Sequence, residues 1–108
     1  MNSFSKLIFI LILFNSYLFS QSELKKVTLQ LSWLNQFQFA GYYMAKENGY
    51  YKEMGLDVEI IPFKFGIDIP SMISNRDVDF AIGRENLILE KANKHKDISL
   101  LYATFQTS

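Results

Sequence analysis

The stretch from Leu29 to Leu56, LQLSWLNQFQFAGYYMAKENGYYKEMGL, decides the fold of this chain. It begins with alternating apolar and polar side chains, the period of a β-strand, and from Phe39 onward its apolar residues recur at helical spacing. A turn rich in aromatic and amide side chains separates the two patterns. Small ligands bind just beyond the carboxyl ends of strands in open α/β folds. We therefore expect this corner to bind a small molecule.

The alternation of strand and helix continues along the rest of the chain. Strands are predicted at Val27–Ser32, Leu56–Pro62, Val78–Gly83 and Ile98–Phe105, and helices at Phe39–Asn48, Tyr50–Met54, Ile69–Asn75 and Arg84–Asn93. This order predicts an α/β fold in which parallel strands are joined by helical crossovers.

Residues 1–22 are interpreted as a secretory signal peptide. Lys6 precedes an apolar run from Leu7 to Phe14, and small residues follow, which is the pattern of an export signal. The run is shorter than the ~20 residues of a membrane-spanning helix. Because Tyr17 to Phe19 extend the apolar run, an uncleaved membrane anchor is the alternative interpretation. The folded domain is expected over residues 23–108, and its apolar, strand-like end leads us to expect a truncated domain.

Composition excludes several classes of function. The chain has no cysteine, which rules out disulfides, thiolate metal sites and a cysteine nucleophile. Its 11 Lys and Arg residues balance 11 Asp and Glu residues, so it lacks the basic surface of a nucleic-acid-binding protein. The single histidine, His95, lies in a polar run and is interpreted as solvated surface. A metal site needs clustered ligands, and the sequence shows no such cluster, so we expect no metal. We also expect no cofactor.

The loops that follow the predicted strands should converge, because parallel strands end at one edge of the sheet. These loops contain Trp33 after the first strand, Phe65, Gly66 and Asp68 after the second, Arg84 after the third and Gln106 after the fourth. Aromatic rings can sandwich a flat ligand, and a guanidinium group suits bidentate contacts with an anion. We therefore expect a small planar or anionic ligand at this edge.

Several of these residues also have a purely structural interpretation. Trp33 could pack in the core or at its rim, and Arg84 could be an exposed residue paired with a neighbouring carboxylate, Glu85 or Asp79. The two phenylalanines at positions 37 and 39 are expected to divide between core and surface. Tyr42 and the tyrosine that follows it lie on different sides of their helix, so at most one can face a ligand.

Six short segments carry a resemblance to a known family. They are LSW at 31–33, AGYY at 40–43, AKENGYY at 45–51, GLDVE at 55–59, VDFAIG at 78–83 and FQ at 105–106. In these segments the chain resembles the SsuA/THI5-like (NMT1/THI5) group of periplasmic binding proteins. That group includes substrate-binding components of ABC importers for thiamine-pyrimidine precursors and alkanesulfonates.

The resemblance implies a periplasmic-binding-protein-like fold of type II, in which two lobes close around a ligand. This chain would supply the first part of lobe one, built from parallel βαβ units, and lobe two would be absent. By analogy, the ligand contacts would fall on Trp33, Phe39, Tyr42, Phe65, Gly66, Asp68, Arg84 and Gln106. Many members have a histidine where this chain has Phe39. Pyrimidine binders often have a run of glycines where it has FGIDIP at 65–70, which weakens the case for a phosphorylated pyrimidine.

The leading hypothesis is a non-catalytic binding module in the periplasm. It would serve either an ABC permease or a fused or associated membrane sensor kinase or cyclase, and QFQFAGYY at 36–43 looks closer to the sensory version. One alternative is an enzyme related to the fungal thiamine-pyrimidine synthase, which uses pyridoxal phosphate, a sacrificed histidine and a cysteine-rich iron motif. The chain has no cysteine and its histidine is elsewhere. A non-functional truncated gene product is the third hypothesis.

Overall fold

The computed structural model describes residues 2, 23–94 and 97–104. The predicted signal peptide lies outside these residues, apart from Asn2. The strands are β1 (Lys25–Gln30), β2 (Leu56–Ile61) and β3 (Phe80–Ala81), and the helices are α1 (Ala40–Glu47), α2 (Tyr50–Glu53), α3 (Ile69–Ser74) and α4 (Leu87–Asn93). A 3-10 turn at Phe37–Phe39 leads into α1. Within the described residues, no helix is both long and apolar enough to cross a bilayer.

The three strands form one parallel sheet in the order β2-β1-β3. The register aligns Gln30 of β1 with Ile61 of β2 and with Ala81 of β3. This arrangement confirms the predicted α/β class and the parallel strands. Because β1 lies in the centre, the chain segments that leave all three strands emerge side by side at the carboxyl edge of the sheet.

The helices begin and end close to their predicted bounds. Gly49, with φ of 80°, separates α1 from α2, and this left-handed conformation favours a residue without a Cβ atom. Pro70 lies in the first turn of α3, where its missing N–H leaves no hydrogen bond unmade. Helix α4 begins at Leu87, three residues later than predicted.

The bounds of β1 and β3 differ from the prediction. Strand β1 begins and ends two residues earlier than Val27–Ser32. Strand β3 contains two residues instead of the six predicted at 78–83. At its start, Oδ2 of Asp79 accepts the backbone N–H of Thr28 at 2.8 Å. A side chain thus replaces a backbone carbonyl, and the ladder begins only at the next residue.

The fourth strand predicted at Ile98–Phe105 is wrong, since the described residues 98–104 contain no strand. Ile98 is buried, but Leu100, Leu101 and Tyr102 are 51%, 68% and 74% exposed. A fourth strand added next to β3 would extend the order β2-β1-β3, but β3 contains only two residues. That edge is too short to hold a partner, because strands are usually ~3–10 residues long.

A small core lies around β1. Gln30 and Leu31 are 1% and 0% exposed. Successive side chains of a strand point to opposite faces, so both faces of the sheet are covered at this end of β1. The alternation of apolar and polar residues predicts that the polar side chain of Gln30 is exposed. Its burial departs from that prediction. Among the residues that the structure describes, the other buried side chains are Val27, Phe39, Val58, Val78 and Ile98.

Candidate functional site

Three rings meet at the carboxyl edge of the sheet. Trp33 follows β1, and Phe63 and Phe65 follow β2. The ring of Trp33 lies 5.3 Å from that of Phe63 and 5.9 Å from that of Phe65, and the two phenylalanine rings are 5.4 Å apart. Phe65 meets both partners nearly edge to face, at 79°, which is a preferred arrangement of aromatic pairs. We call these three residues the aromatic cluster.

Arg84 joins the aromatic cluster from the end of β3. Its guanidinium carbon lies 5.0 Å from the centre of the Trp33 ring, within the ~6 Å of a cation–π contact. Asp79, one of the carboxylates that could have paired with it, is hydrogen-bonded to Thr28 instead. No carboxylate in the described part of the chain forms an ion pair with Arg84. Arg84 is exposed as a residue, so an external anion can approach it.

The members of the aromatic cluster differ in how much surface they offer. Trp33 is half-buried and is already contacted by Phe63, Phe65 and Arg84. Phe65 is 74% exposed. The ring with free surface is therefore Phe65, and Trp33 supports both Phe65 and Arg84 from within the sheet edge.

A cavity of about 550 Å³ lies beside Arg84, between the start of α3 and α4. Small-molecule pockets commonly measure ~300–1,000 Å³. Its lining contains two cationic and two acidic side chains, so the cavity has no net charge that would attract an anion. Arg84 is the candidate anion contact because it lies beside the aromatic rings. The lining residues are Ser32, Ile67, Asp68, Ile69, Pro70, Ser71, Gly83, Arg84, Asn86, Leu87, Glu90 and Lys94.

Gly66 and Asp68 shape the loop between β2 and α3. Gly66 has φ of 88°, a left-handed conformation that disfavours residues with a Cβ atom, and it turns the chain directly after Phe65. Asp68 lies next to the first residue of α3, and its Oδ2 accepts the hydroxyl of Ser71 at 2.6 Å. The structure thus places both predicted residues in the loop, with Asp68 on the wall of the cavity.

Phe39 does not present its ring at the site. It is 3% exposed, whereas Phe37 is 93% exposed, which confirms that the two rings divide between core and surface. A ligand contact through Phe39 does not fit this burial, because a ring in the core has no free face.

Tyr42 and Tyr43 lie on different sides of α1, as predicted. Tyr43 donates a hydrogen bond to Oδ1 of Asn35 at 2.9 Å, which connects α1 to the loop after β1. Tyr42 interacts instead with Tyr102 and Thr104. Burial raises the pKa of Tyr42 above the ordinary value of a tyrosine, and Tyr102 adds to this effect. The structure therefore brings Tyr43, and not Tyr42, to the loop that contains Trp33.

The remaining predictions fall partly outside the described residues. Gln106 and His95 lie outside them. Within the described residues, no group of His, Cys, Asp or Glu side chains could hold a metal ion.

Sequence reasoning missed two residues at this edge. Phe63 is part of the aromatic cluster, and its position two residues before Phe65 in an extended segment could have revealed it, since such residues share a face. Gln30 is buried beneath the edge, and its side-chain nitrogen donates to three backbone carbonyl groups. An alternating strand pattern does not indicate that a polar side chain is buried and bonded to the backbone in this way.

Comparison with known proteins adds one finding. The family model described as NMT1/THI5 like matches residues 36–108, a range that contains Phe63, Phe65 and Arg84 and begins just after Trp33. No curated protein and no solved structure matches the chain.

That family implies a periplasmic-binding-protein-like fold. Its members are usually extracytoplasmic, typically bind small molecules and work with ABC permeases. The family supports extracytoplasmic substrate binding or a thiamine-related role. Because the match covers more than half of its length, the chain belongs to the NMT1/THI5-like family.

Proposed function

We propose that this chain is a non-catalytic domain that binds a small planar or anionic molecule outside the cytoplasm. The observation that carries the proposal is the contact between Arg84 and the aromatic cluster beside a cavity of about 550 Å³. Thiamine-pyrimidine precursors are one class of planar ligand that fits this description.

The ligand would use the free surface of Phe65 for its flat part and the guanidinium of Arg84 for its polar or anionic part. Phe65 is 74% exposed, and aromatic faces prefer offset or edge contacts with other rings. Arginine offers a planar fork of donors that matches a carboxylate or phosphate. Trp33 contacts both groups, since its ring centre lies 5.0 Å from the guanidinium carbon of Arg84 and 5.9 Å from the ring centre of Phe65.

Binding would be read by a membrane partner. In a two-lobed binding protein, a ligand shifts the equilibrium from an open to a closed form. An ABC permease would recognise the closed form in an importer, and a fused or associated sensor kinase or cyclase would recognise it in a sensory protein. In either case, the face of Phe65 would be covered in the closed form.

The first test is calorimetry on the full chain with three matched probes, benzoate, benzenesulfonate and the neutral benzamide, followed by the thiamine pyrimidine with and without its phosphate. We expect the anionic aromatic probes to bind more tightly than benzamide, because only they engage the charge of Arg84. Equal affinity for benzoate and benzamide would contradict the role of Arg84. Failure of every probe to bind would contradict the site itself.

The second test is substitution within the cluster. We expect Trp33→Ala to weaken benzoate binding, because it removes the support of both contact groups. Tyr50→Ala, an exposed aromatic on α2, is the matched control and should leave the affinity unchanged. An unchanged affinity in Trp33→Ala would remove the cluster from the site.

Absence of catalysis is tested separately. Pyrimidine synthesis of the fungal type depends on a cysteine-rich iron motif, and this sequence contains no cysteine. We expect no pyrimidine product when the protein is incubated with pyridoxal phosphate and ferrous iron. Product formation under these conditions would identify an enzyme.

A further inference from the structure

The side chain of Gln30 is fully covered at the carboxyl end of the central strand. It is 1% exposed, and its Cα is aligned with that of Ile61 on β2. Burying a primary amide is unfavourable unless its polar atoms are hydrogen-bonded. The contacts of this amide therefore define what the residue does.

The Nε2 atom of Gln30 donates to three backbone carbonyl groups. The distances are 2.9 Å to the oxygen of Leu31, 3.3 Å to that of Ile61 and 3.3 Å to that of Pro62. The amide has two hydrogens, so one of them is shared between two acceptors. The oxygen of Ile61 also accepts the N–H of Leu31 at 3.0 Å. One buried amide thus connects the backbones of both chain segments where β1 and β2 end.

These two segments carry the aromatic cluster. Trp33 lies three residues beyond Gln30, and Phe63 follows Pro62 directly. Their ring centres are 5.3 Å apart. Beyond the last ladder hydrogen bond the strands are free to separate, and the amide of Gln30 joins them at the last point before the two rings.

We propose that Gln30 is a positioning residue for the aromatic cluster. Its amide holds the backbone at Leu31 against the backbone at Ile61 and Pro62, and so keeps Trp33 in contact with Phe63. The value of this contact for ligand binding rests on the function proposed above, but the positioning itself does not.

The test uses Gln30→Met, which retains the length of the side chain and removes both donors. Trp33 is the only tryptophan of the chain, so its near-ultraviolet circular dichroism band and its quenching by acrylamide report on the cluster directly. We expect a weaker band and stronger quenching at temperatures well below unfolding. Gln38→Met makes the same change at an exposed amide and should alter neither signal.

A purely structural role would lower the unfolding midpoint of Gln30→Met and leave the native Trp33 signals unchanged, and that result would overturn the proposal. If Gln30→Met does not fold, Gln30→Asn carries the test, because it keeps the amide and shortens its reach. A native-like Trp33 band in folded Gln30→Asn would then overturn the proposal, and an altered band would support it.

Benzoate affinity separates this proposal from the proposed function. We expect Gln30→Met to raise the Kd for benzoate about tenfold, the effect of losing one well-formed hydrogen bond. If benzoate does not bind the unaltered protein while the Trp33 band changes in the variant, the proposed function fails and the positioning role of Gln30 stands. If benzoate binds both proteins equally and the band is also unchanged, the role of Gln30 is wrong and the function stands.

Discussion

Asp79 and Thr28 are joined by three hydrogen bonds. Oδ2 of Asp79 accepts the backbone N–H of Thr28 at 2.8 Å and its hydroxyl at 2.9 Å, and the Thr28 hydroxyl oxygen accepts the N–H of Asp79 at 2.8 Å. The carboxylate thereby occupies the place of a backbone carbonyl in the ladder. We call this pair of residues the Asp79 clamp. Strand β3 begins one residue after Asp79, and Arg84 lies five residues after it. The clamp therefore sets the register of the strand that leads to Arg84.

The Asp79 clamp predicts a loss of stability in acid. The hydrogen bonds from the backbone and hydroxyl of Thr28 lower the pKa of Asp79, with a smaller contribution from Lys25 and against a small opposing effect of burial. A carboxyl group with a lowered pKa in the folded state stabilises the fold above its unfolded-state pKa of ~3.9, and this contribution is lost as the pH falls through the lower folded-state value. Urea unfolding at a series of pH values below ~5 should show the loss.

Asp79→Asn should lose this pH dependence, because its side chain does not titrate. Asp57→Asn removes the same charge from an exposed position on β2 and is the control. If the difference in unfolding free energy between Asp79→Asn and the unaltered protein is constant across the acid range, the clamp does not depend on the ionised carboxylate.

Phe65 and Phe37 form a matched pair for testing the ligand surface. Both are exposed, at 74% and 93%, but only Phe65 contacts Trp33 and Phe63. We expect Phe65→Ala to weaken benzoate binding by ~1 kcal/mol, about fivefold, which is typical of one lost aromatic contact. Phe37→Ala should leave the affinity unchanged. Calorimetry on both variants measures this difference, and a similar loss in both would move the ligand away from the cluster.

Much of this architecture was predictable, because the signals that carry it are local. The strand pattern of β2, the glycine after α1 and the proline of α3 all act within a few residues of the chain. The convergence of Trp33, Phe65 and Arg84 followed from one topological rule, that parallel strands end at a common edge.

The structural predictions that failed concern features that depend on residues far apart in the sequence. The clamp that shortens β3 joins positions 28 and 79, which are far apart in the chain. The burial of Gln30 depends on carbonyl groups 31 and 32 residues away. The apolar run near Leu100 has the composition of a strand, but β3, the strand that precedes it in the chain, offers only two residues for pairing.

Gly83 lies between β3 and Arg84, and we expect Gly83→Ala to disturb the site. An added Cβ atom would lie 2.5 Å from Cγ of Leu87 and closer still to its Cδ1. Leu87 is the first residue of α4, and both residues line the cavity, so relief of the clash would change the shape of the cavity. Overpacking of this kind costs ~1–3 kcal/mol. Thermal or urea unfolding measures the loss.

Gly41→Ala is the matched control for Gly83→Ala. No atom lies within 4 Å of a Cβ added at Gly41, which is within α1. Alanine is preferred over glycine inside a helix by up to ~1 kcal/mol, so this variant should be as stable as the unaltered protein or more so. A stabilising effect of Gly83→Ala would show that Leu87 can move freely and that the contact does not shape the cavity.

Arg76 is expected to destabilise the protein in its present position. It has φ of 62° just past the end of α3, where the N–H of Arg76 donates to the carbonyl of Ile73 and that of Asp77 donates to Met72. This pair of bonds is the Schellman ending of a helix, which favours glycine at the left-handed position. We expect Arg76→Gly to raise the free energy of unfolding by ~0.5–1 kcal/mol, since a Cβ atom is unfavourable in that conformation.

Arg76→Ala removes the same charge and keeps the Cβ atom, so urea unfolding should show little gain. An equal gain in both variants would assign the effect to the lost charge and not to the backbone.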